Sequence, residues 1–428
     1  MRITDFEKSK RPVTVVQFGG GVFLRGFFDW MLAKANESGE YCGDAVIVRA
    51  KTRGADPLAA QNFMYTHVSR DGDGVDMTRV DCIAGSMDPA EDLAGFTALA
   101  TAPSLTMVVS NTTEAGIVYE ACEKPSDRVP DSFPARLAHL LHLRFSAGLP
   151  GLLVLPCELI EANGDTLRAF VLRHADDWAL GDAFKKYVEE ECSFRNTLVD
   201  RIVSGAPGEP IPMDYEDDLV NTSEAFHLFV IEGEADARLP FDKFGINIKW
   251  VPALAPYRTL KVRILNGAHT SMIPYALLSG LETVGDCMAD AHMRAFLESC
   301  LAEILPTLDF DAAEAKAYAD QVIKRFENPY IRHLCSAISL NSVSKFRVRV
   351  LPSILAYREK FGKYPTSLCY SFSRLIAFYQ EGTPRDDEDV IVKMQRPTAE
   401  ILADVSLWGE DLSDLTAAVE SATWGKDA

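Results

Sequence analysis

Three side chains that could perform carbonyl–alcohol redox chemistry lie in one short run, YRTLKVRILNGAHTSM, at residues 257–272. A lysine can exchange a proton, an amide can hold a developing oxyanion, and an imidazole can orient a substrate. On an α-helix, at roughly 100° per residue, Asn266 and His269 lie about 140° and about 80° around the axis from Lys261, so the three share one broad face. The alternative is that Lys261 is a solvated lysine and His269 a satisfied core histidine.

No metal-binding pattern accompanies these residues. The sequence contains no H-E-x-x-H motif, and its eight histidines do not cluster with cysteines at ligand spacing. We therefore expect chemistry without a metal, with Lys261 as the acid–base. A lysine acts as a base near neutral pH only where burial or a nearby positive charge favours the neutral amine. Arg263 could supply that charge, or could point to solvent.

A second basic set lies in the run SKFRVRVLP and comprises Lys345, Arg347 and Arg349. Lys345 and Arg349 are four residues apart, so on a helix they share a face. They could clamp an anionic group of a substrate, because arginine binds carboxylates through two parallel hydrogen bonds. A basic face directed to solvent or to a partner subunit explains the pattern equally well.

The start of the chain predicts a dinucleotide-binding unit. Residues 13–18 (VTVVQF) are typical of a buried parallel strand, Gly19-Gly20-Gly21 follow, and residues 22–39 have the pattern of an amphipathic helix. In such a unit the helix N-terminus receives a pyrophosphate. Gly19-x-Gly21 is present, but Leu24 occupies the third glycine position of the fingerprint, and a tight turn alone could account for the glycines.

The end of the second predicted strand, residues 44–50, bears on the choice of cofactor. An acidic residue there would bind the ribose 2′-hydroxyl of NAD, but the sequence has Arg49 and Lys51 instead. Taken alone, these residues favour NADP, although a solvated basic loop is an equal alternative.

Polar residues follow two further predicted strands, residues 105–110 and 151–156. Asn111, Thr112 and Glu114 come after the first, and Glu158 after the second. The carboxyl ends of parallel strands form the edge at which open α/β sheets bind ligands. Glu114 could hold a ribose or cap a helix, and Glu158 is a candidate for substrate binding. A helical pattern at residues 133–145 separates the two strands, so strands and helices alternate.

Composition limits the classes of protein and partner. A chain of 428 residues predicts at least two domains, and a formal net charge of −19 argues against a nucleic-acid partner. Nine scattered cysteines do not form a disulfide framework, and neither a signal peptide nor a membrane-spanning run is evident, so a cytoplasmic protein is expected. Helical patterns dominate from residue 254, at 259–281, 286–305, 311–327 and 330–340. We predict a Rossmann-like α/β domain at residues 1–253 and a mainly α-helical substrate domain at 254–428.

With these residues in view, the sequence resembles the polyol-specific long-chain dehydrogenases, the mannitol dehydrogenase family. The resemblance lies in stretches that span most of the chain in the family's order: VVQFGGGVFLRGFFDW (15–30), VVSNTTEAGI (108–117), LPCELIEANGD (155–165), TLVDRIVSG (197–205), KVRILNGAHTSMIP (261–274) and RFENPYIRHLCSAISLNSVSKFRVRVLPSIL (325–355). It implies that Lys261 is the general acid–base, that Asn266 polarises the carbonyl oxygen and that His269 contacts the substrate. The family's G-x-G-x-F-x-R pattern falls on Gly19, Gly21, Phe23 and Arg25.

One departure narrows the expected substrate. Mannitol dehydrogenases carry an Asp-Asn pair after the cysteine of the third stretch, and the sequence here has Glu158 and Leu159. That variant is similar to the hexuronate-reducing branch, which implies a keto-hexonate substrate such as tagaturonate, a role in hexuronate catabolism, and NAD rather than NADP. Fructuronate or a mannitol-type polyol remains the alternative substrate. A nucleotide-binding sensor without chemistry is a more remote alternative, and the sequence leaves monomer or homo-oligomer undetermined.

Overall fold

The computed structural model describes residues 1–49, 56–112 and 115–425. The chain divides into two compact units, Met1–Leu254 and a second that begins at Ala255. The strands of the first unit are β1 (Val13–Phe18), β2 (Asp44–Val48), β3 (Tyr65–Asp71), β4 (Gly74–Val80), β5 (Ile83–Met87), β6 (Met107–Ser110), β7 (Leu153–Pro156), β8 (Ser193–Phe194), β9 (Thr197–Asp200), β10 (Val203–Gly205), β11 (Asn221–Ser223), β12 (Leu228–Glu232) and β13 (Ile248–Val251).

Helices cover the main sheet and fill the second unit. Those of the first unit are α1 (Val22–Arg25), α2 (Phe28–Glu37), α3 (Pro57–Ala60), α4 (Leu93–Ala100), α5 (Phe133–Ser146), α6 (Asn163–Asp177) and α7 (Asp182–Glu190). Those of the second are α8 (Ala255–Leu260), a π-helix (Lys261–Asn266), α9 (Gly267–Leu278), α10 (Val284–Ala289), α11 (Ala291–Ile304), α12 (Ala312–Phe326), α13 (Cys335–Ile338), α14 (Ser342–Arg349), α15 (Leu351–Phe361), α16 (Thr366–Glu381), α17 (Glu388–Lys393), α18 (Thr398–Ala403), α19 (Val405–Trp408) and α20 (Thr416–Glu420).

The main sheet of the first unit has the doubly wound order of a Rossmann fold. Within the described residues it contains six parallel strands in the order β5-β2-β1-β6-β7-β8. Its central strands are apolar on both faces, as a parallel sheet between two helical layers requires. Smaller sheets, β10-β11-β3-β4 and β13-β12-β9, complete the unit. The predicted fold class, a Rossmann-like unit followed by a helical one, is confirmed.

The predicted helix at residues 22–39 is interrupted, which corrects the expectation of one continuous helix. α1 ends at Arg25, and Phe27, with φ −125° and ψ −82°, separates it from α2. The second sheet approaches closely at this break, because a Cβ on Gly26 would lie 2.7 Å from a methyl carbon of Val203 and 2.9 Å from the side chains of Asn221 and His67. Packing against that sheet therefore accounts for the interruption.

The second unit is built around α9. Its side chains are buried from Gly267 through Pro274, and it packs against α11, α13, α14 and α16. The predicted helix at 330–340 is shorter in the structure, because α13 begins only at Cys335. The residues before it are extended: Leu334 forms an antiparallel bridge with Thr283, and the carbonyl of His333 accepts a hydrogen bond from Val284.

Candidate active site

The turn after β1 requires glycine at its first position. Gly19 has φ +103°, and a Cβ there would lie 2.5 Å from the carbonyl oxygen of Asn111. Gly21 differs: its φ is −71°, and none of the described atoms comes within 4 Å of its Cβ position. Because β1 lies between β2 and β6, the turn stands where the strand order reverses, which is where open α/β sheets bind ligands. The turn therefore offers room and backbone conformation suited to a dinucleotide.

A buried carboxylate organises the neighbouring turn after β6. Glu158 is 2 % exposed and accepts hydrogen bonds from the Thr112 backbone N–H at 2.8 Å, the Thr112 hydroxyl at 2.9 Å and the Ser110 hydroxyl at 2.9 Å. The Asn111 side chain donates to the Cys157 carbonyl at 2.9 Å. Burial raises the pKa of Glu158, and its bonds to Thr112 and Ser110 oppose that rise. The carboxylate thus ties the ends of β6 and β7 together within the first unit.

Phe23 and Arg25, expected beside the cofactor, pack within the first unit. Phe23 stacks on Phe27 with ring centroids 5.1 Å apart. The Arg25 guanidinium lies 5.7 Å from the Tyr65 ring, and its buried Nε has no hydrogen-bond partner among the described residues. Burial raises the pKa of Asp29, and the positive charge of Arg25 opposes that rise. A direct role of these two side chains in cofactor binding stays a prediction.

The remaining residues considered for cofactor binding are Arg49, Lys51 and Glu114. Arg49 directly follows β2, and its Nε lies 4.0 Å from a carboxylate oxygen of Asp56. Its carbonyl accepts a hydrogen bond from Arg136 at 2.9 Å. Glu114 and Lys51 lie outside the described residues, so their predicted roles stay predictions.

In the second unit, Lys261 and Asn266 lie on a π-helix rather than on the α-helix that the spacing predicted. In a π-helix each N–H bonds five residues back, and the Gly267 N–H that ends the segment bonds to the Val262 carbonyl in this way. Residues five apart are one turn apart, so Lys261 and Asn266 lie closer around the axis than the α-helical estimate of about 140°. Such segments are rare and occur often at functional sites.

His269 follows on the first turn of α9 and is buried among aromatic rings. Its ring stacks on Phe326 at a centroid distance of 4.1 Å and meets the His333 ring edge to face at 5.0 Å. Its Nε2 is buried and has no hydrogen-bond partner within the described part of the chain. Burial holds the pKa of His269 well below its usual range, and His333, Arg325 and Arg349 lower it further. His269 is therefore a neutral imidazole with a free polar atom.

The basic residues of α14 separate into different surroundings. The Lys345 ammonium donates to the Ile338 carbonyl at 2.8 Å. Arg347 is exposed, and its guanidinium lies against Gly409. Arg349 is half-buried and lies 3.4 Å from the Thr270 hydroxyl, and burial lowers its pKa.

The sequence predicted no role for two residues that lie around His269. Phe326 and His333 both enclose His269, although they lie far along the chain from it. Both fall in the stretch RFENPYIRHLC, which the resemblance marked without assigning them a role. Single aromatic residues of this kind carry no local signal, because their contact with His269 depends on tertiary packing.

Residues 1–49, 56–112 and 115–425 contain no group of three or more His, Cys, Asp and Glu side chains placed to hold a metal ion. No helix in these ranges has the length and apolar character needed to cross a bilayer.

Comparison with known proteins identifies relatives along the whole chain. Residues 13–243 match the mannitol dehydrogenase Rossmann domain, and residues 253–425 match the mannitol dehydrogenase C-terminal domain. An altronate oxidoreductase of Shigella flexneri is 38 % identical, with 99 % of this chain and 96 % of the relative covered. An altronate oxidoreductase of Escherichia coli O1:K1 is 37 % identical over the same shares.

Solved structures agree in fold. A D-sorbitol dehydrogenase in substrate-free form superposes with a TM-score of 0.81 at 20 % identity, covering 96 % of this chain and 92 % of that one. The mannitol 2-dehydrogenase of Pseudomonas fluorescens, in a ternary complex with NAD and D-mannitol, superposes with a TM-score of 0.67 at 19 % identity, covering 96 % and 91 %. The chain belongs to the mannitol dehydrogenase family of polyol and sugar-acid oxidoreductases.

Proposed function

We propose that this chain is an NAD(H)-dependent tagaturonate reductase (altronate oxidoreductase), which interconverts tagaturonate and altronate by hydride transfer without a metal. The observation that carries the proposal is 38 % identity to an altronate oxidoreductase over 99 % of the chain. Lys261, Asn266 and His269 on one helical segment supply the groups that the reaction needs. The substrate is then a small sugar acid.

The first unit fits a dinucleotide. Gly19, Gly21, Asn111 and Thr112 lie at the carboxyl edge of the sheet, and the space beside Gly21 admits close approach of a phosphate to the backbone. NADH, when bound, supplies the hydride that reduces the ketone. NAD is proposed over NADP because the hexuronate branch of the family implies it and because the P. fluorescens relative holds NAD.

The second unit supplies the proton and the hydrogen bonds. As the ketone carbon is reduced, negative charge develops on its oxygen, and the Lys261 ammonium donates a proton to that oxygen. The Asn266 amide donates a hydrogen bond to the same oxygen while the charge builds. His269 is neutral, so its Nε2 can exchange a hydrogen bond with a substrate hydroxyl without bringing a full charge into the site. In the oxidising direction, Lys261 takes the proton back.

The substrate test compares NADH oxidation with tagaturonate, fructuronate and fructose at matched concentrations, and repeats tagaturonate with NADPH. Fastest turnover on tagaturonate with NADH is expected. Faster turnover on fructuronate or fructose would move the chain to the fructuronate-reducing or mannitol-type branch. Tight NADH binding without turnover on any of these substrates would instead indicate a nucleotide sensor.

A variant tests the role of the amide. Asn266→Ala should lower kcat with tagaturonate roughly 10²- to 10³-fold, because it removes one oxyanion donor. NADH affinity, measured by protein fluorescence, should change little. A loss of kcat smaller than tenfold would exclude Asn266 as a full oxyanion donor.

A further inference from the structure

Arg349 is a half-buried cation that lies against the turn carrying His269. Besides burial, His333, Arg325 and Arg349 lower the pKa of His269. Burial also lowers the pKa of His333, which favours a neutral ring. Arg349 forms no ion pair with any described residue, and its guanidinium lies 3.4 Å from the Thr270 hydroxyl, which is long for a hydrogen bond. Half-buried cations without a carboxylate are costly unless an anion neutralises them. The Arg349 guanidinium therefore suits an anionic ligand.

The structure also separates the three basic residues of α14. The Lys345 ammonium donates a hydrogen bond to the Ile338 carbonyl, and the Arg347 guanidinium lies against Gly409, next to α19. Arg349, in contrast, ends α14 against the first turn of α9, where its carbonyl oxygen lies 3.3 Å from the Cβ position of Gly267. The guanidinium that reaches the His269 turn is therefore that of Arg349.

The His333 ring also lies against His269. Its ring meets His269 edge to face at 5.0 Å, and hydrogen bonds of its own backbone to Val284 and of Cys335 to Glu282 fix the segment that carries it. No described residue forms a hydrogen bond with the His333 ring. Its ring nitrogens are thus available to a ligand, as is the buried Nε2 of His269, whose residue is 7 % exposed.

We propose that Arg349 and His333, which both lie near the turn carrying His269, bind the carboxylate of the substrate and so select a sugar acid over a neutral sugar. This proposal rests on the proposed function. In tagaturonate the carboxylate stands at the far end of the carbon chain from the ketone. Along the helical segment Lys261 and Asn266, proposed to act on the ketone, precede His269 and Thr270, which lie beside the proposed carboxylate contact.

The test uses two substrates that differ only at the proposed contact. D-tagatose has the carbon skeleton of D-tagaturonate with a hydroxymethyl group in place of the carboxylate. Arg349→Met should lower kcat/KM for tagaturonate roughly 10- to 100-fold, the range for loss of a charged hydrogen bond, and should leave tagatose turnover within about threefold. Arg347→Met, on the same helix, is the matched control and should change neither value.

One variant of His333 and a second variant of Arg349 guard against misfolding. His333→Phe keeps a ring against His269 but removes both nitrogens, and it should lower kcat/KM for tagaturonate about three- to tenfold without affecting tagatose. Arg349→Lys keeps the charge but loses the planar fork, so its loss should lie between wild type and Arg349→Met. If wild-type turnover of tagatose is too slow to measure, competitive inhibition by altronate takes its place, and Arg349→Met should raise that inhibition constant.

The outcomes distinguish the two proposals. No turnover of tagaturonate by the wild-type enzyme would overturn the proposed function. Normal wild-type turnover, with Arg349→Met, Arg349→Lys and His333→Phe reducing both substrates equally or neither, would overturn the carboxylate site and leave the proposed function standing.

Discussion

Two buried polar groups, one in each unit, differ in the hydrogen bonds that the surrounding protein makes with them. Both oxygens of Glu158 receive hydrogen bonds, from Ser110 and twice from Thr112. The Nε2 of His269 receives none from the described residues, although it is just as thoroughly enclosed. Burial alone therefore does not separate the two sites; hydrogen-bond satisfaction does.

This difference in hydrogen bonding indicates different roles for the two sites. A buried polar group that lacks a partner costs about 1–3 kcal/mol, so folded proteins rarely retain one without a reason. Glu158 stabilises the sheet edge by accepting three hydrogen bonds within the fold. His269 and Arg349 retain capacity for a ligand. On this basis we expect substitutions at the helical site to change turnover, and substitutions at the sheet edge to change stability and cofactor affinity.

Replacing Lys261 is the strongest way to break this contrast. Lys261→Met removes the proposed proton donor but keeps an unbranched chain, and it should lower kcat with tagaturonate roughly 10²- to 10⁴-fold. The midpoint of thermal unfolding and the NADH dissociation constant should stay close to wild type. Lys316→Met, at an exposed lysine of α12 paired with Asp320, is the control. A near-normal kcat in Lys261→Met would place the chemistry elsewhere.

Local patterns were sufficient to predict the elements that carry these sites. The apolar run 13–18 coincides with β1, and the glycines after it form the turn, because a buried parallel strand and a positive-φ position leave direct marks in sequence. The strands before Asn111 and Glu158 were also predicted, with β6 and β7 beginning two residues later than expected.

Features that depend on tertiary contacts could not be predicted in this way. Periodicity indicated a helix at residues 259–281, but the extra residue per turn at 261–266 has no compositional mark. The break at Phe27 follows from the approach of the second sheet to Gly26. Nor does sequence spacing show that Thr112 and Ser110 satisfy Glu158, or that His333 lies against His269. These facts depend on chain segments that meet only in the fold.

Two glycines of the turn after β1, Gly19 and Gly21, test whether the sheet edge acts on stability and cofactor affinity. Gly19→Ala should cost roughly 1–3 kcal/mol for its positive φ and a similar amount for overlap with the Asn111 carbonyl, because its Cβ would lie 2.5 Å from that oxygen. Gly21→Ala should leave unfolding unchanged, since its Cβ position is open, and should weaken NADH binding if a phosphate approaches there. Chemical denaturation and NADH titration measure the two effects. Equal stability of the two variants would contradict the structure of the turn.

Glu158→Gln tests whether the satisfied carboxylate is structural. An amide presents N–H groups toward donors from Thr112 or Ser110, so the free energy of unfolding should fall by roughly 1–3 kcal/mol. NADH affinity should fall a fewfold as the Asn111–Thr112 turn loosens, while kcat at saturating NADH stays within about twofold. Thr112→Ser preserves the N–H and hydroxyl donors and serves as control. A large loss of kcat with unchanged stability would instead support the sequence-based prediction that Glu158 contacts the substrate.

Asp29 is a third buried polar group, and it shows that a missing hydrogen-bond partner does not always indicate a ligand site. It is fully buried at the start of α2, its Oδ1 has no partner among the described residues, and the Tyr65 hydroxyl lies 3.4 Å from its Oδ2. Burial raises the pKa of Asp29 to about 7, even though Gln17, Arg25 and Tyr65 oppose the rise. A buried carboxyl group that lacks hydrogen-bond partners can thus become neutral by keeping a proton. His269 is already neutral, so a change of protonation does not stabilise it in the same way.

The smallest expected effect follows from that proton. Because the pKa of Asp29 is higher in the folded protein than its ordinary 3.8, the folded state holds the extra proton between these values, and stability falls as pH rises through about 7. Asp29→Asn removes this titration, so between pH 6 and 8 wild type should lose roughly 1 kcal/mol more stability than the variant. Urea unfolding at both pH values measures the difference, which cancels any pH-independent cost of the amide. Parallel pH dependences of the free energy of unfolding would show that Asp29 stays ionised in the folded protein. Its surroundings would then stabilise a carboxylate, as those of Glu158 do.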